Sequence, residues 1–260
     1  VSPAESVAEP PSRVALVTGA SRGIGRAVAH RLSAEGLRVA VTARDKATLD
    51  ETAAGCIGPA LVLPDDITDP AAPDRLFDAV EREWGRVDVL VANAGAGVSA
   101  RVHRTSDADW QSMLDINLTA PFRCVRRAIP AMLEAGYGRI VAMASIAAKH
   151  GDPYIAAYTA SKHGLLGLVR AAAAELATTG VTVNAICPGY VDTPMTDATI
   201  AGIVDKTGRT ADEALEIIAG KQPTGRLVTP EEVADAVWLC VVNGSINGQG
   251  INVDGGAVQS

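Results

Sequence analysis

Tyr158 and Lys162 stand four residues apart in Tyr158-Thr159-Ala160-Ser161-Lys162, within a segment whose composition favours helix. That spacing puts a phenol and an ammonium on one helical face. A phenol with an ordinary pKa of about 10 is a poor base near neutrality, and an adjacent cation favours its ionised form, so the pair predicts a lowered Tyr158 pKa. Ser145 precedes the pair, just beyond an apolar run at 138–143. Its hydroxyl can donate to a carbonyl oxygen as charge gathers there. The chemistry these three residue types suit is proton transfer at a carbonyl or alcohol oxygen.

A second constellation is Thr18-Gly19-Ala20-Ser21-Arg22-Gly23-Ile24-Gly25, set between an apolar run and an amphipathic segment. Gly19, Gly23 and Gly25 let the chain turn tightly and approach a ligand. The helix that follows offers unpaired N–H groups to a pyrophosphate. The second apolar run ends Val41-Thr42-Ala43-Arg44. Ala43 stands where a carboxylate would grip an adenosine ribose, and the guanidinium of Arg44, with Arg22 in the turn, suits a 2'-phosphate. The expectation is NADP, with NAD the alternative that Asp45, one residue on, keeps open. Asp66 and Ile67 after the third run are candidates to hold the adenine. Asn93, Ala94 and Gly95 after the fourth are candidates to pass beneath the cofactor.

Such groups need a scaffold that delivers several loops to one edge. From Arg13 onward, runs rich in Val, Ile and Ala at 13–18, 38–42, 60–64, 87–92, 138–143, 181–187 and 249–253 read as strands buried on both faces. Between them, helical periodicity predicts helices near 23–35, 46–55, 70–84, 107–135, 156–179 and 230–242, with Pro130 expected to kink or break the longest. The alternation predicts an α/β fold: a single-domain, doubly wound Rossmann parallel sheet of about seven strands with helices on both faces. Residues 1–12 lack periodicity and are expected to form a disordered leader before one domain at 13–260. The irregular stretch 194–229 reads as a substrate lid.

The bulk properties narrow the partners. A net charge of −7 and a pI near 5.1 leave no cationic footprint for nucleic acid or an anionic membrane, so small molecules are expected. Cys56, Cys124, Cys187 and Cys240 are scattered without metal-ligand spacing, so no metal site and a reduced cytoplasmic setting are expected. No apolar run approaches the roughly 20 residues of a membrane-spanning helix.

In combination, the glycine turn, Asn93-Ala94-Gly95, Ser145, Tyr158-x-x-x-Lys162 and Cys187-Pro188-Gly189 resemble the short-chain dehydrogenase/reductase family over about residues 13–256. The resemblance implies Tyr158 as proton donor or acceptor, Ser145 as the donor that orients substrate, and Lys162 as electrostatic partner and binder of the nicotinamide ribose. It implies Asn117, in Asp115-Ile116-Asn117-Leu118, as anchor of a water in a proton relay to Lys162. Pro188, Gly189, Val191 and Thr193 correspond to the segment along the nicotinamide, with Val191 and Thr193 at its carboxamide. Ala92 and Ala144 depart from the residues common at those places. His103, His150 and His163 are weaker acid/base alternatives, and His150, Tyr154 and Tyr190 are candidates for the substrate mouth.

The wording of 154–194 is similar to aromatic polyketide ketoreductases and to beta-ketoacyl thioester reductases. The substrate expectation is therefore a beta-keto group on an acyl thioester or polyketide chain, carried on acyl carrier protein or coenzyme A. In 195–229, Lys206, Arg209, Lys221 and Arg226 are matched by Asp197, Asp205, Asp212, Glu213 and Glu216, so no net basic patch awaits a carrier, although Arg126, Arg127 and Arg139 are isolated cations. Gln222 and Pro223 before Gly225-Arg226-Leu227 also resemble NAD-dependent 3-hydroxybutyrate and 3-hydroxyacyl dehydrogenases, the second reading. A non-catalytic nucleotide sensor is the third. The resemblance further implies a homotetramer formed through about 107–135 and 156–179.

Overall fold

Along Val14–Thr18 successive side chains enter opposite cores. Val14 and Leu16 join one apolar cluster, Ala15 and Val17 the other. That is the environment of a central parallel strand covered by helices on both faces. In the computed structural model, which describes residues 13–259, seven strands form one sheet. They are β1 (Val14–Thr18), β2 (Arg38–Ala43), β3 (Ala60–Pro64), β4 (Val89–Ala92), β5 (Gly138–Met143), β6 (Val181–Pro188) and β7 (Gly250–Val253). The order is β3-β2-β1-β4-β5-β6-β7 and every pairing is parallel. The expected doubly wound sheet is present, and its strands differ from the predicted runs only at their ends. The predicted leader, 1–12, lies outside the described residues.

The helices are α1 (Gly23–Ala34), α2 (Lys46–Ala54), α3 (Ala72–Trp84), α4 (Asp107–Leu114), α5 (Ala120–Glu134), α6 (Ala156–Glu175), α7 (Pro194–Thr207), α8 (Ala211–Ala219) and α9 (Pro230–Val242). Leu76 and Phe77 of α3, Cys124 and Met132 of α5, and Leu165 and Val169 of α6 cover one face of the sheet. Val28 and Leu32 of α1, Leu49 of α2, and Val233 and Val237 of α9 cover the other. Strand order reverses between β1 and β4, so the crevice where ligands bind opens at their carboxyl ends.

The expectation for the longest helix changes. The helix predicted over 107–135 is interrupted by a π turn at Asp115–Thr119, and α5 continues through Pro130 to Glu134. Proline removes one backbone donor, but the buried face of α5 (Cys124, Val125, Ala128 and Met132) holds the helix on both sides of it. The stretch 194–229 contains two helices. Gly208, at φ 70°, ends α7, and a reciprocal Thr210–Glu213 capping box starts α8. Among the described residues no helix is long and apolar enough to cross a membrane.

Candidate active site

The glycine turn is stapled to the loop after β4. Thr18 Oγ1 accepts the N–H groups of Asn93 and Ala94, each at 3.0 Å, and Asn93 Nδ2 donates to the carbonyls of Thr18 (2.9 Å) and Gly19 (3.1 Å). Gly19 has φ 65°, and a Cβ there would lie 2.7 Å from Ala94 Cα. A Cβ at Gly25 would run into the Gly19 carbonyl. The turn therefore admits only glycine at both places. Arg26 and Thr52 brace it from behind: Arg26 donates to the Ser21 carbonyl at 2.6 Å and Thr52 Oγ1 to the Ala20 carbonyl at 2.9 Å. Neither residue is part of the glycine motif, and nothing in its sequence neighbourhood marks this role.

At the start of α1, Arg22 is extended and contributes no side-chain cap, and the first turn holds no acidic residue. By contrast, the side chains of Asp45, Ser106, Thr210 and Thr229 cap α2, α4, α8 and α9. The first N–H groups of α1 thus face the glycine turn without a capping side chain, an arrangement that fits a pyrophosphate.

At the end of β2, Asp45 serves as the cap of α2. Asp45 Oδ1 accepts the Thr48 N–H at 3.0 Å, and that bond holds the Asp45 carboxyl below the ordinary carboxylate range. Arg44 is exposed and makes no hydrogen bond or ion pair among the described residues. Asp66 is also exposed. Its Oδ1 accepts from the Thr68 hydroxyl (2.7 Å) and N–H (3.0 Å), which lower its pKa, with Arg44 adding to the effect. Ile67 is buried in the core, so only its backbone is available to a ligand.

Ser145 follows β5 in extended conformation and opens a 3-10 turn, Ile146–Ala148, its Oγ accepting the Ala147 N–H at 3.1 Å. The Ser145 side chain lies beside the half-buried Tyr158 phenol and lowers its pKa. Lys162, one turn along α6, is buried; its Nζ donates to the Met143 carbonyl at 2.7 Å and lies 5.6 Å from the Tyr158 ring centre. Asn117 sits fully buried in the π turn, pairing both amide atoms with Ala96: Oδ1 accepts from the N–H at 3.2 Å and Nδ2 donates to the carbonyl at 3.0 Å. A Cβ at Gly95 would stand 2.9 Å from Asn117 Oδ1 and 3.6 Å from Lys162 Nζ, so these groups converge on Gly95.

The electrostatics correct the expected phenol. Burial raises the Tyr158 pKa above its ordinary value, with the neighbouring Ser145 side chain opposing the rise, and burial lowers Lys162 to about 8. Desolvation is the largest influence on the phenol and reverses the lowering expected from the adjacent lysine. A phenol kept protonated beside a serine hydroxyl is an acid suited to delivering a proton to a substrate oxygen.

The loop after β6 reaches across to the glycine turn: a Cβ at Gly23 would lie 3.0 Å from Thr193 Cγ2. Val191 is buried and bridges to Val228, while Pro188 closes β6 and Gly189 donates its N–H to the Val253 carbonyl at 3.0 Å. Tyr190 Oη takes a hydrogen bond from Lys221 Nζ at 3.2 Å. Tyr154 is exposed with φ 72°, its carbonyl held by the Ala100 N–H at 2.8 Å. His150 has Nδ1 3.0 Å from the Ile146 carbonyl and Nε2 3.3 Å from Asp152. His163 and His103 are exposed. Ala92 and Ala144, the two departures from the common motif, are both buried.

The family model described as short chain dehydrogenase matches residues 13–203. The protein named "Putative ketoacyl reductase" of Streptomyces coelicolor is 41% identical over 254 residues, covering 94% of this chain and 97% of that protein. The 3-oxoacyl-(acyl-carrier-protein) reductase FabG of Escherichia coli (strain K12) is 35% identical, with 94% and 96% covered. The crystal structure of a single-residue variant of actinorhodin polyketide ketoreductase with NADPH superposes with a TM-score of 0.91 at 40% identity, covering 95% of this chain and 97% of that one. With its glycine turn, its serine, tyrosine and lysine at one end of the sheet and its seven strands aligned over nearly its whole length with such proteins, the chain belongs to the short-chain dehydrogenase family.

Proposed function

We propose that this chain reduces a ketone to a secondary alcohol with NADPH, the ketone being the beta-keto group of an acyl thioester or polyketide chain. The observation that carries the reading is the half-buried Tyr158 phenol, its pKa raised so that it stays protonated near neutrality, beside Ser145 and the buried Lys162. The similarity to ketoacyl reductases, and to a ketoreductase solved with NADPH, supports it. The engagement of Asp45 as a helix cap, beside an exposed Arg44, favours the 2'-phosphorylated cofactor over NAD. The hydroxybutyrate and sensor readings find no comparable support in the site.

NADPH bound in this cleft supplies the hydride. Gly19, Ser21, Gly23, Ile24, Gly25 and the α1 N-terminus hold the pyrophosphate, Arg22 and Arg44 the 2'-phosphate, and Asp66 with the Ile67 backbone the adenine. Asn93, Ala94 and Gly95 form the floor, Lys162 binds the nicotinamide ribose, and Pro188, Gly189, Val191 and Thr193 line the nicotinamide. Ser145 donates to the carbonyl oxygen, and Tyr158 Oη transfers its proton there as negative charge develops. Lys162 then restores the phenol. A water anchored at Asn117, whose Oδ1 lies with Lys162 Nζ around Gly95, would carry the proton that resupplies Lys162 from solvent. His150, Tyr154 and Tyr190 surround the substrate entrance, with 194–229 as its lid.

Of the arginines considered for a carrier arm, Arg127 is held by Asp78 and Glu81, and Arg139 by the carbonyls of Val241, Gly138 and Gly180. Arg126 is the one left to meet a phosphopantetheine arm. Exposed Trp110, Phe122 and Leu133 on α4 and α5 support a homotetramer through α4, α5 and α6, in a cytoplasmic setting. The deciding experiment is a panel of simple ketones, beta-keto thioesters and 3-hydroxy acids, assayed with both nicotinamide cofactors. Fastest turnover of a beta-keto thioester with NADPH is expected; faster oxidation of a hydroxy acid with NAD would overturn the reading.

A further inference from the structure

Gln222 is among the largest side chains that are fully buried, at 1% exposure, yet it lies on the segment that follows α8, far in sequence from the core strands. Its amide completes a reciprocal pair with one residue's backbone. Oε1 accepts the Tyr190 N–H at 3.0 Å, and Nε2 donates to the Tyr190 carbonyl at 3.2 Å and to the Arg226 carbonyl at 2.5 Å. Next to this pair the backbones of the two segments join directly: Val228 donates to the Tyr190 carbonyl and Asp192 to the Val228 carbonyl, each at 2.9 Å. The excursion that contains α7 and α8 therefore leaves and returns through one closed neck, and Gln222 is its side-chain fastening. The fit leaves no slack, because a Cβ at Gly189 would collide with Gln222 Oε1.

We propose that Gln222 is a positioning residue that fixes the loop Gly189–Thr193 at the nicotinamide end of the site. The loop it fastens carries Val191 and Thr193, and Thr193 packs against Gly23 of the glycine turn, so the neck sets the spacing between the two halves of the cleft. No other side chain among the described residues bonds both polar atoms of the Tyr190 backbone. A glutamine held only as inert core filling would need none of this pairing; here all three bonds reinforce the two backbone segments beside their Val191–Val228 bridge. The assignment of the loop to nicotinamide rests on the NADPH reading above.

Two variants test it. Gln222→Leu removes every bond while keeping bulk. Gln222→Glu keeps an acceptor for the Tyr190 N–H but turns a carboxylate toward two carbonyls, which favours its protonated form; as pH falls and it gains a proton, it can donate once again. In cofactor-free protein, Gln222→Leu is expected to speed amide hydrogen exchange at Tyr190 and Asp192 by about tenfold, while α1 and β1 keep wild-type rates. NADPH affinity falls by about tenfold, and affinity for 2'-phospho-ADP-ribose, which lacks nicotinamide, is unchanged. Gln222→Glu behaves like the leucine variant at high pH and approaches wild type as pH falls. Wild-type exchange and affinities in the leucine variant would overturn the proposal, as would equal losses in α1, β1 and both nucleotides. If wild-type protein itself binds NADPH no better than the truncated nucleotide, the NADPH reading fails, and the exchange arm alone decides whether Gln222 holds the loop.

Discussion

Lys162 Nζ is tethered to the Met143 carbonyl at 2.7 Å and stands 5.6 Å from the centre of the Tyr158 ring. The cation that serves the phenol is thus fixed by β5, the same strand that leads into Ser145. This anchoring places a buried charge at the site, and burial lowers its pKa from 10.5 to about 8.

Between those two values the unfolded chain holds a proton that the folded chain has released, so folding stability rises with pH across the window. Below about pH 8 the buried charge is present and weighs against the fold. Lys162→Met is therefore expected to gain most relative to wild type near neutrality, by up to about 3 kcal/mol. The gain should shrink as pH rises through the window. Thermal denaturation of both proteins at neutral and alkaline pH checks this; a pH-independent difference contradicts it.

Reductive turnover should fall as pH rises through about 8, because Lys162 loses its proton there and can no longer support the phenol or resupply it. Tyr158, raised by burial, stays protonated well beyond that limb. Lys162→Arg keeps the charge at every accessible pH and should lose the limb, whatever its absolute rate. A pH–rate profile of the two proteins reads the result.

Arg44→Ala should weaken NADPH by about 10- to 100-fold and leave NADH nearly unchanged, since it removes a charge-assisted bond only the 2'-phosphate makes. Asp45→Ala should instead cost about 1 kcal/mol of stability through the lost α2 cap, with cofactor preference intact. Binding titrations beside thermal melts separate the two residues.

Gly19→Ala should lose most nucleotide affinity and destabilise the fold by about 1–3 kcal/mol, because the added methyl meets Ala94 Cα in a left-handed backbone conformation. Calorimetry with and without NADPH measures both effects.

The sheet and the serine–tyrosine–lysine set could be read from the chain because each leaves a local trace. Near-continuous apolar runs mark strands covered on both faces, and Tyr158 and Lys162 reveal their common face by spacing alone. What depends on tertiary packing left no such trace. Desolvation, which reverses the expected shift of Tyr158, is decided by what surrounds the phenol. The break in the long helix falls at Asp115–Thr119, just before Pro121, rather than at Pro130, which is tolerated inside α5. Arg26 and Thr52 brace the glycine turn, and Gln222 the loop after β6, through contacts with backbone carbonyls and amides, which any polar residue can make.

The most direct measurement is NADPH consumption with a beta-keto thioester by wild-type protein and by Tyr158→Phe, with NADPH binding followed in parallel. The account predicts turnover by the wild type and a loss of about a thousandfold or more in the variant, with cofactor affinity largely kept. Turnover by Tyr158→Phe within about tenfold of wild type would contradict the assignment of the proton to Tyr158 Oη.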